Sequence, residues 1–236
     1  MRQAQADSAG PTDKANRVRR MFDHIAPTYE LINHLASFGW DTLWRRRTVA
    51  LATPRPDDIV LDVACGTGDL ARAFAPRVRR VVGVDFSANM LHRAVGRRGA
   101  GLHWCRADAL CLPFADGTFN MTACAFGVRN FQDVDAGLRE MYRALQRGGR
   151  AVILEFSMPT NRLIRGLYGL YLGWMMPLLA TLVSQDRTDA YRYLGRSVRS
   201  FVGREEMVLR LQRAGFTGVA AFPLTLGIVV VYVADK

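Results

Sequence analysis

A short apolar run followed by two closely spaced glycines constrains the fold of this chain more than any other feature. Residues 59–63 are predicted to form a buried strand, and Gly66 and Gly68 follow it directly before a predicted helix over residues 69–74. Glycine allows a sharp backbone turn and lets a ligand approach the main chain. The free N–H groups at the start of the helix then face that ligand. We therefore expect a strand–turn–helix unit that opens an α/β domain and binds a small molecule.

Strands and helices continue to alternate after this unit. Further strands are predicted at residues 81–84, 102–106, 119–125 and 151–156, with helices from Ser87 to about Val95 and from Asp133 to Gln146, the second stopped by Gly148 and Gly149. A helix over 205–214 and two strands at 216–222 and 227–233 complete the pattern, the strands as an antiparallel pair at the sheet edge. This alternation is typical of a mostly parallel sheet with helices on both faces.

The chain is predicted to hold one domain. Its 236 residues are 50% hydrophobic, which is enough to build a core without disulfides. Residues 1–13 are polar and predict a disordered tail, and residues 14–236 form the domain, with helical segments at 14–56 and 157–200. The N-terminal region has no apolar stretch typical of a secretory signal. The four cysteines form no CxxC pair, so no metal site is expected. We expect the protein to work in a reducing, cytoplasmic location.

The chain is strongly basic, with a net charge of +11 and 30 arginines among its 32 basic residues. Nucleic acid and anionic membranes are the usual partners of such a charge. The arginines are spread along the whole chain and are not interleaved with aromatic residues as in a single-strand binding groove. We therefore interpret most of them as a solvated surface and expect no nucleic-acid partner.

The acidic residues near the glycine turn indicate a nucleoside cofactor. Asp85 ends the second predicted strand, 17 residues after Gly68, where a carboxylate accepts hydrogen bonds from ribose hydroxyls. The glycine turn fits the dinucleotide fingerprint if Ala71 takes the last position. It also fits a methyltransferase turn, in which Asp62 precedes spaced small residues. Asp62 itself either contacts the cofactor or anchors the loop.

Asp108 and Ala109, after the third strand, favour the second interpretation. A carboxylate at this place accepts a hydrogen bond from the exocyclic amine of adenine, and nicotinamide enzymes have no standard need for it. We therefore predict S-adenosyl-L-methionine as the cofactor.

The chain resembles the quinone-ring C-methyltransferases of menaquinone and ubiquinone biosynthesis over about residues 17–233. Four stretches carry the resemblance: residues 18–30 (VRRMFDHIAPTYE) with Asn33, 37–39 and 44–45, the glycine turn with Asp69, residues 125–130 (AFGVRN), and residues 190–194 (AYRYL) with Ser197, Phe201 and 214–216. The glycine turn occurs in many methyltransferases, whereas the other three stretches are more particular to this family. The resemblance implies the Rossmann-like, class I methyltransferase fold, a mostly parallel seven-stranded sheet with an antiparallel edge strand.

The resemblance also implies site residues. It places cofactor contacts at Thr67, Asp85, Asp108 and Ala109, and at the position of Ala125. Together with the residues singled out above and their neighbour, the predicted cofactor-binding set also includes Asp62, Gly66, Gly68 and Phe86. The segments 14–56 and 157–200 would then form a lid. Four positions depart from the usual family residues: Ala125 for Ser, Val202 for Pro, Leu226 for Gly and Tyr232 for His. A backbone contact at Ala125 would survive the change, and a hydroxyl contact would not.

Carbon methylation needs a deprotonated ring hydroxyl, a group that holds the phenolate oxygen, and exclusion of water. Arg129 and Asn130 follow the fourth strand at the carboxyl edge of the sheet, where ligands bind. Arg129 could stabilise a phenolate but is a poor base, and it could instead pair with Asp133 or Asp69 as a structural clamp. Tyr29 could close over the sulfonium or simply pack a helix. His24 is a weak candidate for the base that deprotonates the ring hydroxyl.

Residues 166–185 form a run of 20 residues without charge. Such a length could span a bilayer, but Gly169, Gly173 and Pro177 weaken that interpretation. A buried lid helix is the first interpretation, and a patch over 162–187 that touches the inner face of the cytoplasmic membrane is the second. Arg162, Arg165 and Arg187 would then meet anionic headgroups.

The predicted reaction is conversion of demethylmenaquinol to menaquinol with a prenylated quinol as substrate. Methylation of a methoxy-polyprenyl-benzoquinol in ubiquinone biosynthesis is an alternative, alone or in addition. RNA or another small molecule as acceptor is more remote, since no base-flipping segment follows the fourth strand. A non-catalytic scaffold of a quinone pathway also stays open.

Overall fold

The computed structural model describes residues 23, 34, 37–97, 99–176 and 190–236, with only the backbone at 190–192. Its centre is a seven-stranded sheet in the order β3-β2-β1-β4-β5-β7-β6. The strands are β1 Ile59–Val63, β2 Arg80–Asp85, β3 Leu102–Arg106, β4 Phe119–Ala125, β5 Leu145–Phe156, β6 Thr217–Leu224 and β7 Val229–Asp235. The helices are α1 Trp40–Ala52, α2 Asp69–Phe74, α3 Ala88–Val95, α4 Val134–Ala144, α5 Arg162–Leu170, α6 Ala190–Ser200 and α7 Arg204–Arg213.

Alternation along the strands divides the core into two layers. On β1, Val60 points to the layer that holds Trp44 of α1 and Phe74 of α2. Its neighbour Leu61 points to the opposite layer, which holds Met141 of α4 and further side chains of α7. Because successive strand residues face opposite sides, a strand covered on both faces is mostly apolar. This confirms the predicted α/β fold with helices on both faces.

Two details of the sheet differ from the sequence prediction. The last two strands form an antiparallel pair at the sheet edge, as predicted, but the strand that runs antiparallel to the others is β7, one position in from the edge strand β6. The fourth helix ends at Ala144, and β5 begins directly after it, so Gly148 and Gly149 lie within the strand. There Gly148 donates its N–H to the Lys236 carbonyl (3.0 Å), and the Lys236 N–H bonds to the Gly149 carbonyl (2.9 Å). The two glycines are therefore tied to the end of β7.

The two segments predicted as a lid are only partly described. In the first, a turn at residues 37–39 leads into α1, and Gly39 adopts a left-handed conformation (φ 77°). In the second, α5 continues into a π-helical turn at Tyr171–Met175, and α6 packs against this turn and against the turn at Val128–Asn130. Tyr168 and Leu172 pack with Val198 of α6 and Met90 of α3. The predicted tail at 1–13 lies outside the described residues.

Candidate functional site

A pocket opens at the carboxyl ends of the parallel strands β1, β2, β3 and β4. From β1 the chain adds β2 and β3 on one side of the sheet and then β4 and β5 on the other side, and ligands of open α/β sheets bind at such a switch point. The pocket is lined by residues that follow these four strands: Ala64, Gly66, Val84, Asp85, Phe86, Met90, Ala107, Asp108, Ala109, Leu110, Ala125, Phe126, Gly127, Asn130, Phe131 and Gln132. Seven of them are predicted site residues, because parallel strands bring their ends to one edge.

The glycine turn and Asp85 hold each other in place. The Gly66 N–H donates to Oδ2 of Asp85 (2.8 Å), and the Ser87 N–H donates to Oδ1 (2.8 Å). Gly66 itself has a left-handed conformation (φ 56°), and a side chain there would meet nothing within 4 Å. Burial raises the pKa of Asp85 to about 6, against the two backbone hydrogen bonds. The carboxylate keeps further lone pairs, which can accept hydroxyl groups of a ligand.

A residue of the N-terminal segment reaches the same corner. Ser87 caps α3 by accepting the Met90 N–H (3.2 Å), and its hydroxyl donates to Oδ1 of Asp23 (2.5 Å). The Asp23 carbonyl also accepts from Asn89 (3.1 Å). This contact brings residue 23 next to Asp85. Tyr29 and His24 lie outside the described residues.

The loop that carries Asp108 is held by helix α4. Oδ1 of Asp108 accepts the Leu110 N–H (2.9 Å), which closes a local turn. Arg143 of α4 donates to the carbonyls of Leu112 (3.0 Å) and Phe114 (2.7 Å). Glu140, one turn earlier, accepts the Leu112 N–H (2.8 Å). Asp108 and Ala109 are thus fixed at the pocket by a helix that the sequence did not connect with them.

Four predicted site residues do not line the pocket. Thr67 is buried, and its carbonyl accepts a hydrogen bond from Arg72 (2.8 Å). Gly68 adopts φ 84° and packs against the Trp104 ring, where a side chain would clash. Asp62 is fully buried, and neither of its oxygens has a hydrogen-bond partner among the described residues. Burial raises its pKa to about 8.

Arg129, the fourth of these residues, is paired below the pocket. Its guanidinium donates to Oε1 of Glu155 (2.8 Å), and its backbone N–H donates to Oε2 (3.1 Å). The expected clamp partners, Asp133 and Asp69, are therefore wrong: the partner is Glu155. Glu155 lies on β5, 26 residues further along the chain, and only the sheet brings the two together. Sequence reasoning missed it, although its place in the penultimate position of a buried strand marks an unusual carboxylate.

Asn130 is the polar side chain of the AFGVRN stretch that faces the pocket. Its Oδ1 accepts the hydroxyl of Tyr193 (3.2 Å), and its Nδ2 donates to the Phe126 carbonyl (3.3 Å). Tyr193 lies on α6, within the AYRYL stretch. The sequence analysis assigned no role to Tyr193, although this residue belongs to the AYRYL stretch that carries part of the family resemblance.

The sheet order, the glycine turn and the two acids at the strand ends together define a Rossmann-like methyltransferase of class I. The sequence profile of the ubiE/COQ5 methyltransferase family matches residues 11–236, and the chain belongs to this family.

Curated relatives match the chain over almost its whole length. A demethylmenaquinone methyltransferase of Thermus thermophilus is 42% identical over 221 residues, which cover 92% of this chain and 100% of the relative. A ubiquinone/menaquinone biosynthesis C-methyltransferase UbiE of Geotalea uraniireducens is 41% identical over 233 residues, covering 95% of this chain and 98% of the relative.

A solved structure shares the fold at lower identity. Phosphoethanolamine N-methyltransferase 2 of Haemonchus contortus, in complex with S-adenosyl-L-methionine, matches with a TM-score of 0.62 and 16% identity. The match covers 84% of this chain and 53% of that one. At this identity the likeness concerns the fold alone.

Proposed function

We propose that this protein transfers a methyl group from S-adenosyl-L-methionine to a ring carbon of a prenylated quinol, with demethylmenaquinol as the preferred substrate. The observation that carries the proposal is the pocket, in which the acids suited to a nucleoside and the Asn130 amide line one space. Family membership and the names of the relatives from Thermus and Geotalea support it. A methoxy-prenyl-benzoquinol is the alternative acceptor, because it demands the same chemistry.

The residues of the pocket fit the proposed cofactor. Asp85 would accept the ribose hydroxyls, and Asp108 the amine of adenine. Phe86 and Ala109 offer apolar walls for the adenine ring. When bound, S-adenosyl-L-methionine supplies an electrophilic methyl group on a sulfonium. Gly66 and Ala125 line the pocket at the turn and at the end of β4, so both are proposed contacts through the backbone.

For the predicted site residues that do not line the pocket, we propose that they support the residues that do. Thr67, Gly68 and Asp62 shape the glycine turn from behind. Arg129 is buried, and its charge is balanced by Glu155. Its proposed role is therefore to hold the Phe126 carbonyl, to which Asn130 also donates, rather than to stabilise the phenolate directly. Tyr29 remains a proposal that rests on the family resemblance.

Asn130 would hold the ring oxygen of the quinol. A quinol becomes a carbon nucleophile when one hydroxyl loses its proton, because the electron density moves to the ortho and para carbons. An amide N–H that donates to that oxygen stabilises the charge as it forms. The apolar walls around Asn130, including Phe126 and Phe131, keep water from the site.

The experiment that tests the proposal is a methyl-transfer assay with labelled S-adenosyl-L-methionine. Dithionite-reduced demethylmenaquinone and a reduced methoxy-prenyl-benzoquinone are offered in parallel in detergent. Methylation of the first alone supports a menaquinone enzyme, and methylation of both supports a dual one. Calorimetry measures cofactor binding in the same preparation. Cofactor binding without methylation of either quinol would contradict the quinol proposal and favour a scaffold or another acceptor, including RNA.

We propose separately that the segment 162–187 contacts the membrane. The structure describes this segment only as far as residue 176. In α5 and the turn after it, Leu163, Leu167, Leu170 and Trp174 follow helical spacing and are 72, 62, 61 and 79% exposed. Arg162 and Arg165 lie on the same helix and complement anionic headgroups. None of the described helices is long and apolar enough to cross a membrane. The proposed occupant of this stripe is therefore the surface of an anionic bilayer.

Vesicle sedimentation tests the contact. The wild type should pellet with vesicles of anionic lipid more than with neutral ones, and the double variant Leu167→Ser/Trp174→Ser should lose most of this binding. Val95→Ser changes an exposed apolar residue on α3 (58%) and serves as the control. Equal sedimentation of the wild type and the double variant would contradict the proposal.

A further inference from the structure

The hydrogen bonds around Asn130 fix which way its amide faces. The Phe126 carbonyl can only accept, so the amide atom beside it (3.3 Å) must be Nδ2. The atom beside the Tyr193 hydroxyl (3.2 Å) is then Oδ1, and Tyr193 must be the donor. The orientation of Asn130 is therefore set by one backbone group below it and one side chain from α6.

This orientation leaves one donor of Asn130 for a ligand. Nδ2 has two hydrogens, of which the Phe126 carbonyl takes one. Asn130 lines the pocket, so the second hydrogen is available there. Without the Tyr193 hydroxyl, the Phe126 carbonyl alone would hold the amide, and its free hydrogen would be less closely aimed into the pocket.

Tyr193 is suited to hold this orientation over a wide pH range. Its side chain is half-buried, and burial raises the pKa of its hydroxyl above the ordinary value, against the smaller opposing effect of Arg129. The hydroxyl thus stays a neutral donor.

We propose that Tyr193 is a positioning residue that aims the free amide hydrogen of Asn130 at the quinol oxygen on which negative charge develops. The inference rests on the proposed function and deepens it. It also assigns a role in catalysis to the AYRYL stretch, which lies on α6 within the segment predicted to cover the site. Tyr193 acts through Asn130 and takes no proton itself.

A double-mutant cycle tests the proposal. Losing a direct donor to a developing oxyanion lowers turnover by about 10²–10³-fold. Tyr193→Phe keeps that donor and only loosens its orientation, so we expect kcat at saturating quinol to fall by a smaller factor, about tenfold. The KM and Kd for S-adenosyl-L-methionine should stay within about twofold of wild type, because the residues proposed to bind the cofactor are unchanged in this variant. In an Asn130→Ala background the same change should have almost no further effect, since the residue it acts through is gone.

Two further variants complete the experiment. Tyr142→Phe removes a tyrosine hydroxyl on α4, away from the pocket, and should keep kcat at the wild-type value. Asn130→Asp keeps an acceptor for Tyr193 but replaces the donor by a carboxylate, so its turnover should collapse. This variant keeps the proposal testable should Tyr193→Phe fold poorly.

The outcomes separate the inference from the proposed function. Wild-type kcat in Tyr193→Phe, an equal loss in the Asn130→Ala background, or full turnover by Asn130→Asp would each overturn the role of Tyr193 while wild-type methylation of a quinol stands. Wild-type protein that binds the cofactor but methylates neither quinol would overturn both.

Discussion

Arg129 and Glu155 form an ion pair that is closed off from water under the pocket. Nη1 of Arg129 lies 2.8 Å from Oε1 of Glu155, and the two side chains are 6% and 1% exposed. The guanidinium also lies over the Phe156 ring, 5.3 Å from its centroid, and bonds to the Phe126 carbonyl. The same carbonyl receives Nδ2 of Asn130. The pair therefore supports the backbone that carries the pocket's polar side chain.

Removing one partner of this pair should strongly destabilise the protein. Glu155→Gln leaves the Arg129 charge buried without a counter-charge, and we expect the free energy of unfolding to fall by about 3–5 kcal/mol. Urea denaturation followed by circular dichroism measures it. Glu206→Gln weakens the pairs of a partly exposed carboxylate with Arg210 and Arg213 and should cost less than about 1 kcal/mol. Similar losses in the two variants would contradict the structural importance of the buried pair.

Binding of S-adenosyl-L-methionine should weaken in acid. Burial raises the pKa of Asp85 to about 6, so the carboxylate that accepts the ribose hydroxyls is lost as the pH falls through about 6. Asp85→Asn should lower affinity at pH 8 by about 10–100-fold, as expected for hydrogen bonds to a charged group worth about 1.5–3 kcal/mol. It should also remove most of the acid sensitivity. Calorimetry between pH 5 and 8 measures both, and wild-type affinity that is flat across this range would count against the role.

Asp62 should make the protein less stable as the pH rises. Its folded-state pKa is raised to about 8 from an ordinary value of 3.8, so the folded state holds a proton that the unfolded state has released. The resulting stability is present below pH 4 and is lost as the pH rises through 8. Asp62→Asn should therefore match the wild type near pH 4 and exceed it increasingly up to pH 8, by at most about 1.4 kcal/mol per pH unit. Urea midpoints at several pH values test this, and a gap that shrinks with pH would refute it.

The loop at Asp108 should depend on Arg143. Arg143 bonds to two carbonyls of the loop and to Asp116 (2.7 Å). Arg143→Met keeps the length of the side chain but removes these donors, and we expect the Kd for S-adenosyl-L-methionine to rise about tenfold, the effect of about 1.4 kcal/mol. Arg139→Met, at an exposed site of the same helix, should leave Kd unchanged. Equal Kd values for the two variants would show that the loop holds its shape without Arg143.

Much of the fold was predictable because its signals are local. The ends of α2 and β4 agree with the prediction, since a glycine turn and an apolar run mark them. Ser87 caps α3 as expected from its side chain. The helix before Gly148 was predicted too long, because glycine stops helices and also occurs where two strand ends meet, and the sequence does not distinguish the two.

The candidate site also contains residues that local sequence patterns identified and contacts that they did not. Gly66, Asp85, Asp108 and Asn130 were identified from the sequence because each closes a predicted strand or lies within a few residues after one, and parallel strands end at one edge. The sequence also determined the family through its four stretches. Only the tertiary structure decided that Arg129 meets Glu155, 26 residues away, and that Tyr193 meets Asn130, 63 residues away. Contacts over such distances depend on how the sheet and α6 bring separate segments together, and no local pattern of side chains encodes that.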